Sequence, residues 1–329
     1  MDLIDSFIEK ASKHPARIVY PEGGDERIVV AACKAGTMGI AEPIILGDPE
    51  EVQKIATEKN VSLDKVRIIS PATDEAALNK YAEIYAADRG VKVGVGRKLV
   101  KKPLSFGGMM VKNGDADGMV AGVASATASV IQAAALTVGF QKGLATPSSF
   151  FIMIVPVFEG EKDKLFVFAD CAVNIQPNAR QLADIGVASG TNARTLLGMD
   201  PKIAFLSFST KGSASHADVD KVIKAFEIAK ETAPDLEIDG ELQADAAIVA
   251  RVAAKKVKES AVAGKANVLI FPDLDSANMC YKLVQYLAGA KAVGPILQGF
   301  AKPVNDMSRG ASVADLIGVT AITVIQAGN

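Results

Sequence analysis

The stretch Gly118-Met119-Val120-Ala121-Gly122-Val123-Ala124-Ser125-Ala126-Thr127, continued without a charge to Gln141, decides the fold. It is long enough to span a bilayer, so it admits two readings: a membrane helix, or the buried part of a strand–loop–helix unit. Ser125, Thr127, Ser129, Gln132 and Thr137 interrupt it, several glycines break it, and Asp115 and Asp117 stand just before it. It therefore reads as a strand at Gly118–Ala121, a small hydroxyl-rich loop, and a buried helix.

The same alternation runs outward in both directions. Short β-branched runs predict strands at Arg17–Tyr20, Pro43–Leu46, Val66–Ile69, Phe150–Val155, Leu165–Ala169, Ile203–Ser207, Val268–Phe271 and Val293–Leu297. Amphipathic or alanine-rich segments predict helices at Glu26–Ala35, Asp74–Ala87, Asn178–Leu197, Val219–Thr232, Gln243–Lys258 and Ser276–Ala288. Strands alternating with helices imply an α/β fold with a largely parallel sheet. At 329 residues two α/β domains are expected. The chain divides best near Gly143-Leu144-Ala145-Thr146-Pro147 and again before residue 300. That gives a first domain of residues 1–143 with 300–329, and an inserted second domain of residues 144–299. A cleft between two domains is a common place for a ligand.

Composition narrows the function. Net charge is −2 and acids and bases are mixed, so nothing offers nucleic acid a basic stripe. Cys33, Cys171 and Cys280 are odd in number and widely spaced, which fits buried thiols in a reducing compartment, read here as the cytoplasm. The N-terminus lacks the basic and apolar regions of a signal peptide. The expected partners are small molecules, with neither nucleic acid nor membrane among them.

The richest local chemistry is Asn305-Asp306-Met307-Ser308-Arg309-Gly310-Ala311-Ser312-Val313-Ala314-Asp315, at the start of the last apolar helix. Arg309 offers a planar fork suited to a phosphate or carboxylate. Asp315 can take a proton from a group held beside that anion. Ser312 to Asp315 also has the spacing of a capping box, so Asp315 as a plain helix cap stays open. Other polar loops follow strands, where α/β proteins hold ligands. Ala121 to Thr127 has the shape of a phosphate cradle, with Ser125 and Thr127 as its hydroxyls. Ser209-Thr210-Lys211 adds hydroxyls and a cation, and Phe271 to Asn278 leads into the helix carrying Lys282.

Several chemistries lack their motifs. Lys211-Gly212-Ser213 has the wrong order for a phosphate-binding Walker loop, Gly94-Val95-Gly96 lacks the third glycine of a dinucleotide fingerprint, and no Gly-x-Ser-x-Gly elbow occurs. His14 and His216 cannot build a histidine-rich metal site, and Cys171 has neither nearby in sequence to activate it. Asp170, Asp184, Asp273 and Asp275 offer oxygens without diagnostic spacing for magnesium.

Tyr20-Pro21-Glu22-Gly23, Asp115-Ala116-Asp117-Gly118, Phe168 to Asn174, Leu206 to Ser213, Phe271-Pro272-Asp273-Leu274, Asn278 and Ser308-Arg309-Gly310 occur in this order. Together they resemble the phosphate acetyl/butyryltransferase family, in particular its phosphate acetyltransferases, over essentially the whole chain. The resemblance implies two α/β domains flanking a cleft, related to the isocitrate/isopropylmalate dehydrogenase fold, and a homodimer. It implies reversible transfer of acetyl between coenzyme A and inorganic phosphate, with coenzyme A as co-substrate and no permanently bound cofactor or metal. By the same resemblance Asp315 deprotonates the coenzyme A thiol, Ser308 hydrogen-bonds at the reacting centre, and Arg309 binds the phosphoryl group. Arg27 matches a family arginine. Arg27, Ser125, Thr127, Ser209, Thr210, Lys211, Asn278 and Lys282 are taken as substrate-binding residues.

The chain departs from the family after Gly122. Ser125-Ala126-Thr127-Ala128-Ser129 stands where many members read His-Ser-Thr-Ala-Asp, and Gln132 stands where they carry an arginine associated with coenzyme A. A second family arginine is missing near Ala86. Arg89 and Arg97 are the candidate replacements. Transfer of butyryl or propionyl groups, a non-catalytic interaction module of the same fold, and a metal- and NAD-dependent decarboxylating dehydrogenase stay open as rival readings.

Overall fold

The computed structural model describes residues 3–328. The chain divides into two compact units, one running to Gln141 and resuming at Phe300, the other Lys142–Gly299.

The first unit opens with α1 (Leu3–Lys13), β1 (Ala16–Tyr20), α2 (Glu26–Thr37), β2 (Ala41–Leu46), α3 (Pro49–Glu58) and β3 (Arg67–Ile69). It continues through α4 (Glu75–Arg89), α5 (Val93–Val100), α6 (Pro103–Asn113), β4 (Gly118–Ala121) and α7 (Thr127–Thr137). The uncharged stretch is thus a strand, a loop and a helix, and no described helix is long and apolar enough to cross a membrane.

The second unit holds β5 (Ser148–Phe158), β6 (Glu161–Ala169), α8 (Ala179–Leu197), β7 (Lys202–Leu206), α9 (Ala217–Thr232) and β8 (Glu237–Leu242). After these come α10 (Ala244–Ile248), α11 (Ala250–Lys256), β9 (Val268–Ile270), α12 (Leu274–Leu287) and β10 (Lys291–Gln298). The chain then returns to the first unit with β11 (Val304–Asp306) and α13 (Val313–Ala327).

In the first unit the strands run β11-β4-β1-β2-β3, every pair parallel. The chain starts in the middle at β1, builds outward to β3, then jumps back to β4 on the other flank. The loops after β1 and β4 therefore part company at their carboxyl ends, and that divergence opens a crevice. Strands buried on both faces read as continuous apolar runs, as β4 does, because helices cover both sides. Helix α13 packs on α1, α2, β1 and β4. Its Leu316, Val319, Ile322 and Val324 are buried. Buried Tyr20 on β1 shares a hydrogen bond of 2.8 Å with Thr320 on α13, which satisfies a phenol that would otherwise lack a partner.

The second unit is mixed, within the expectation of a largely parallel sheet. Its order is β10-β5-β6-β9-β7-β8, with β10-β5 and β5-β6 antiparallel and the rest parallel. The β5–β6 hairpin closes on Glu159-Gly160, both at positive φ, the geometry that matches strand twist. Pro156 and the charges from Glu159 to Lys164 disguise its outer half as a loop. Pro156 is tolerated because the pairing of β5 with β10 ends at Ile154. The core packs Phe151, Phe166, Phe168, Leu269 and Phe271.

Three further differences have local causes. The helix expected over Gln243–Lys258 is two short helices, broken where Val249 turns extended. Strand β8 is Glu237-Ile238-Asp239-Gly240-Glu241-Leu242, whose acids mask its pattern, although Ile238 and Leu242 are buried. Helix α5 contains the Gly94-Val95-Gly96 pair. A Cβ on Gly96 would stand 2.6 Å from the carbonyl oxygen of Ala82, so that glycine allows α5 to lie against α4.

Candidate active site

The crevice at the carboxyl ends of β1 and β4 is a groove of about 530 Å³ within the first unit. Pro21, Glu22 and Asp25 come from the β1 side, and Ser125, Ser129 and Gln132 from the β4–α7 side; Lys102 and Leu104 of the α6 region close it. Its walls are mostly apolar with a few convergent polar groups, as in most small-molecule sites.

The loop after β4 does present backbone N–H groups as a cradle, but the protein fills it. The Glu22 carboxylate accepts from the N–H groups of Gly122 at 2.9 Å, Val123 at 3.0 Å and Ala124 at 3.1 Å. Three backbone donors on one carboxylate fix the loop against β1. The expected phosphate cradle is therefore an internal anion site. Ser125 still lines the groove, while Thr127 donates to Asp306 at 2.6 Å.

Arg27 is engaged just as fully. Its Nε and Nη2 donate to Asp25 at 3.0 and 2.7 Å, and Nη2 also reaches the Val123 carbonyl at 3.0 Å. Its Nη1 donates to the carbonyls of Arg309 at 2.6 Å and Ala311 at 3.2 Å. Every N–H of the guanidinium has a protein acceptor, which leaves none for a ligand in this arrangement. The hydrogen-bonded Arg27 holds the Asp25 carboxyl below its usual range. The two loops and the Ser308–Arg309 turn are thus tied together by one side chain.

On that turn the side chain of Arg309 is exposed and has no protein partner among the described residues. The Ser308 Oγ accepts weakly from the Gly310 N–H at 3.2 Å. Three residues on, Ser312 caps α13 by accepting from the Asp315 N–H at 3.2 Å. In return Asp315 Oδ2 accepts from the Ser312 N–H at 2.9 Å and its Oγ at 2.8 Å. The capping box is real, yet it uses one oxygen of Asp315. The other has no hydrogen bond among the described residues, and Asp315 is exposed.

Asp306 stands in the same segment, where nothing in the sequence pattern gives it a role. It ends β11 opposite Ala121 and is 2% exposed. Its Oδ2 takes the Thr127 hydroxyl, while its Oδ1 has no hydrogen-bond partner among the described residues. Burial, reinforced by the nearby Glu22 charge against the opposing Thr127 bond, pushes its pKa up to about 6.

The arginines proposed to replace those lost near Gln132 are occupied elsewhere. Arg89 donates to the carbonyls of Ala135 at 2.8 Å and Leu136 at 2.7 Å, closing the end of α7. Arg97 pairs with Glu75 and Asn79. Lys102, by contrast, is exposed, lines the groove with Gln132, and has no partner among the described residues.

In the second unit Ser209, Thr210 and Lys211 share one loop, held from within. Ser209 donates to buried Glu241 at 2.8 Å, and Thr210 accepts from the Gln243 N–H at 2.9 Å. Lys211 pairs with Asp239 and donates to the Gly240 carbonyl at 2.6 Å. Asn278 donates to the Cys171 carbonyl at 3.1 Å, and Lys282 is exposed on α12 beside the Tyr281 ring. Asp170 accepts from Ser149, Ala172, Val173 and Asn174, Asp184 pairs with Arg180, and Asp273 caps α12. Cys171 is buried, which pushes its thiol well above its usual range and away from the nucleophilic thiolate.

An α/β fold with a guanidinium unpaired among the described residues, on an arginine-pinned turn, suits an enzyme that binds a phosphate or carboxylate. Comparison with known proteins agrees: the chain belongs to the phosphate acetyl/butaryl transferase family, whose profile matches residues 2–324. It is an acyltransferase. It is 48% identical to a phosphate acetyltransferase of Thermoanaerobacterium thermosaccharolyticum, covering 99% of this chain and 100% of that one. The corresponding enzyme of Bacillus subtilis is 41% identical over 99% of both chains. Among solved structures, a phosphotransacetylase from Streptococcus pyogenes superposes with a TM-score of 0.91 at 43% identity, covering 99% of this chain and 98% of that one. The dehydrogenase-like fold expected from sequence is also found: a putative 4-hydroxythreonine-4-phosphate dehydrogenase from Salmonella typhimurium, 10% identical, matches with a TM-score of 0.54 over 94% of this chain and 99% of that one.

Proposed function

We propose that the chain transfers an acetyl group reversibly between coenzyme A and inorganic phosphate, by direct attack with both substrates bound. The observation that carries this reading is the unpaired Arg309 guanidinium on a turn whose backbone Arg27 holds in place. A planar cation presented on a fixed turn suits a phosphoryl group. In the direction of thioester synthesis the coenzyme A sulfur attacks the carbonyl carbon of acetyl phosphate. The S–C bond forms, the C–O bond to phosphate breaks, and phosphate leaves with the electron pair beside Arg309. The thiol proton passes to the free oxygen of Asp315 and then to the departing phosphate. A thiol with a pKa near ~8.5 is mostly protonated at neutral pH, so a base at the sulfur raises the reactive fraction. Ser308 hydrogen-bonds at the reacting carbonyl, and donors placed where charge develops lower the barrier.

We assign coenzyme A to the groove after β1 and β4, where Leu99, Leu104 and Leu136 offer an apolar wall for its arm and Lys102 a cation for a phosphate. Glu22 lines this groove, Asp306 accepts from Thr127 at the head of α7, and Arg27 acts by holding the turn. Ser209, Thr210, Lys211, Asn278 and Lys282 of the second unit complete the proposed substrate set. We place the enzyme in the cytoplasm, as a homodimer in acetate metabolism, on family likeness. The test is thioester absorbance on mixing the protein with coenzyme A and acetyl phosphate, beside butyryl phosphate. Faster reaction with acetyl phosphate supports the reading, preference for butyryl phosphate moves the assignment within the family, and no thioester with either overturns it.

A further inference from the structure

Gly122 lies between two buried carboxylates. Its N–H donates to Glu22 Oε2 at 2.9 Å, and a Cβ at this position, where φ is +107°, would stand 2.2 Å from Asp306 Oδ1. That Asp306 oxygen is buried without a donor, while its partner oxygen takes the Thr127 hydroxyl at the head of α7. The following residue, Met307, donates its N–H to the Ala121 carbonyl at 2.8 Å, so the strand hands directly into the Ser308–Arg309 turn. An ionised oxygen with no donor in a buried place is costly, and a second carboxylate nearby makes it costlier.

We propose that Asp306 is a positioning residue for the acyl-transfer site: it couples the Ser308–Arg309 turn to the head of α7 through Thr127, and takes up a proton when a phosphate-bearing substrate binds. The inference rests on the reading of Arg309 as the phosphate contact. The segments packed on Asp306 frame its charge balance. Strand β4, the loop from Gly122 to Ala126 and α7 carry no ionisable side chain. The β1–α2 loop brings Glu22, Asp25 and Arg27, and the chain beyond Asp306 brings Arg309 and Asp315. Glu22 is the charged group that acts on it, and it disfavours ionisation. A phosphate dianion held by Arg309, three residues along the chain from Asp306, adds negative charge to the turn that follows it. By linkage, whatever raises proton affinity on binding makes binding weaken as pH rises.

The test is the KM for acetyl phosphate in coenzyme A acetylation, measured from about pH 5 to 8 for wild type, Asp306→Asn and Thr127→Val, with thermal melting to confirm folding. Substrate ionisation is common to all three and cancels in the ratios. Wild-type KM should rise relative to Asp306→Asn as pH passes about 6, approaching tenfold per pH unit. Asparagine keeps an acceptor for Thr127 and cannot titrate, so its KM should stay comparatively level. In Thr127→Val the bond that favours the ionised form is gone, so the rise should begin at higher pH, alongside a lower kcat. A folded Asp306→Asn protein whose KM tracks wild type at every pH overturns the inference while leaving acyl transfer intact. Absence of thioester from wild type overturns the underlying reading instead.

Discussion

The Arg27 Nη1 donates to the carbonyl oxygen of Arg309 at 2.6 Å, so one arginine holds the backbone on which another presents an unpaired side chain. The two residues are distant in sequence and differ in duty. Arg27 is consumed by Asp25, Val123, Arg309 and Ala311, while Arg309 is exposed.

That division of labour predicts different kinetic signatures. Arg309→Ala should lower kcat/KM for acetyl phosphate by about 10²-fold or more with little change in melting temperature, since a charge-assisted contact made to substrate is lost. Arg27→Lys keeps the charge and loses the fork. It should lower kcat/KM by about tenfold and also lower the melting temperature, because the carbonyls of Val123, Arg309 and Ala311 share fewer donors. Steady-state kinetics beside differential scanning calorimetry separates the two.

Asp315 has two roles on different oxygens, and substitution can part them. Ser312→Ala removes the N-cap and should cost about 1 kcal/mol of stability while leaving turnover within about twofold. Asp315→Asn should lower turnover by about 10²- to 10⁴-fold, the usual scale for a lost general base. Equal turnover in Asp315→Asn and wild type would move the base elsewhere.

Among the described residues Lys102 is the cation that lines the groove, and it is unpaired. Lys102→Ala should raise the KM for coenzyme A by about fivefold at low salt, an effect of roughly 1 kcal/mol for an exposed charge, and the difference should shrink in high salt. The KM for acetyl phosphate should stay level. Titrating each substrate against an excess of the other checks this.

The elevated Asp306 pKa also affects stability. Its folded carboxyl binds a proton more tightly than an unfolded one, so its favourable contribution is complete below the ordinary aspartate range and is lost as pH rises through about 6. Asp306→Asn should therefore gain stability relative to wild type at pH 8 compared with pH 4, by roughly 1–3 kcal/mol. Urea unfolding at the two pH values measures the difference.

Much of this was legible in the chain. The strands expected at Gly118–Ala121 and Ile203–Ser207 read clearly, the second shifted by one residue to Lys202–Leu206, because apolar runs bounded by turn residues have few alternatives, and the cap of α13 followed from the Ser312–Asp315 spacing. Strands β8 and β11 were missed because acids alternate through one and the other is Val304-Asn305-Asp306, too short for a period. Glu22 and Asp306 stand inside motifs whose pattern gives neither a role. Nothing in either segment indicates that it meets Gly122 from the opposite side.

Sequence alone determined the α/β class, the family, and the presence of a cationic turn before an apolar helix, because these depend on local pattern and on motifs in order. Only the tertiary structure decided which polar groups are available to a ligand. A loop of small residues looks like a phosphate cradle until Glu22 is seen seated in it, and Arg27 looks like a binding residue until its acceptors are counted. Hydrogen bonds saturate, and their partners lie up to hundreds of residues apart. Whether a donor is free is therefore a property of the folded chain.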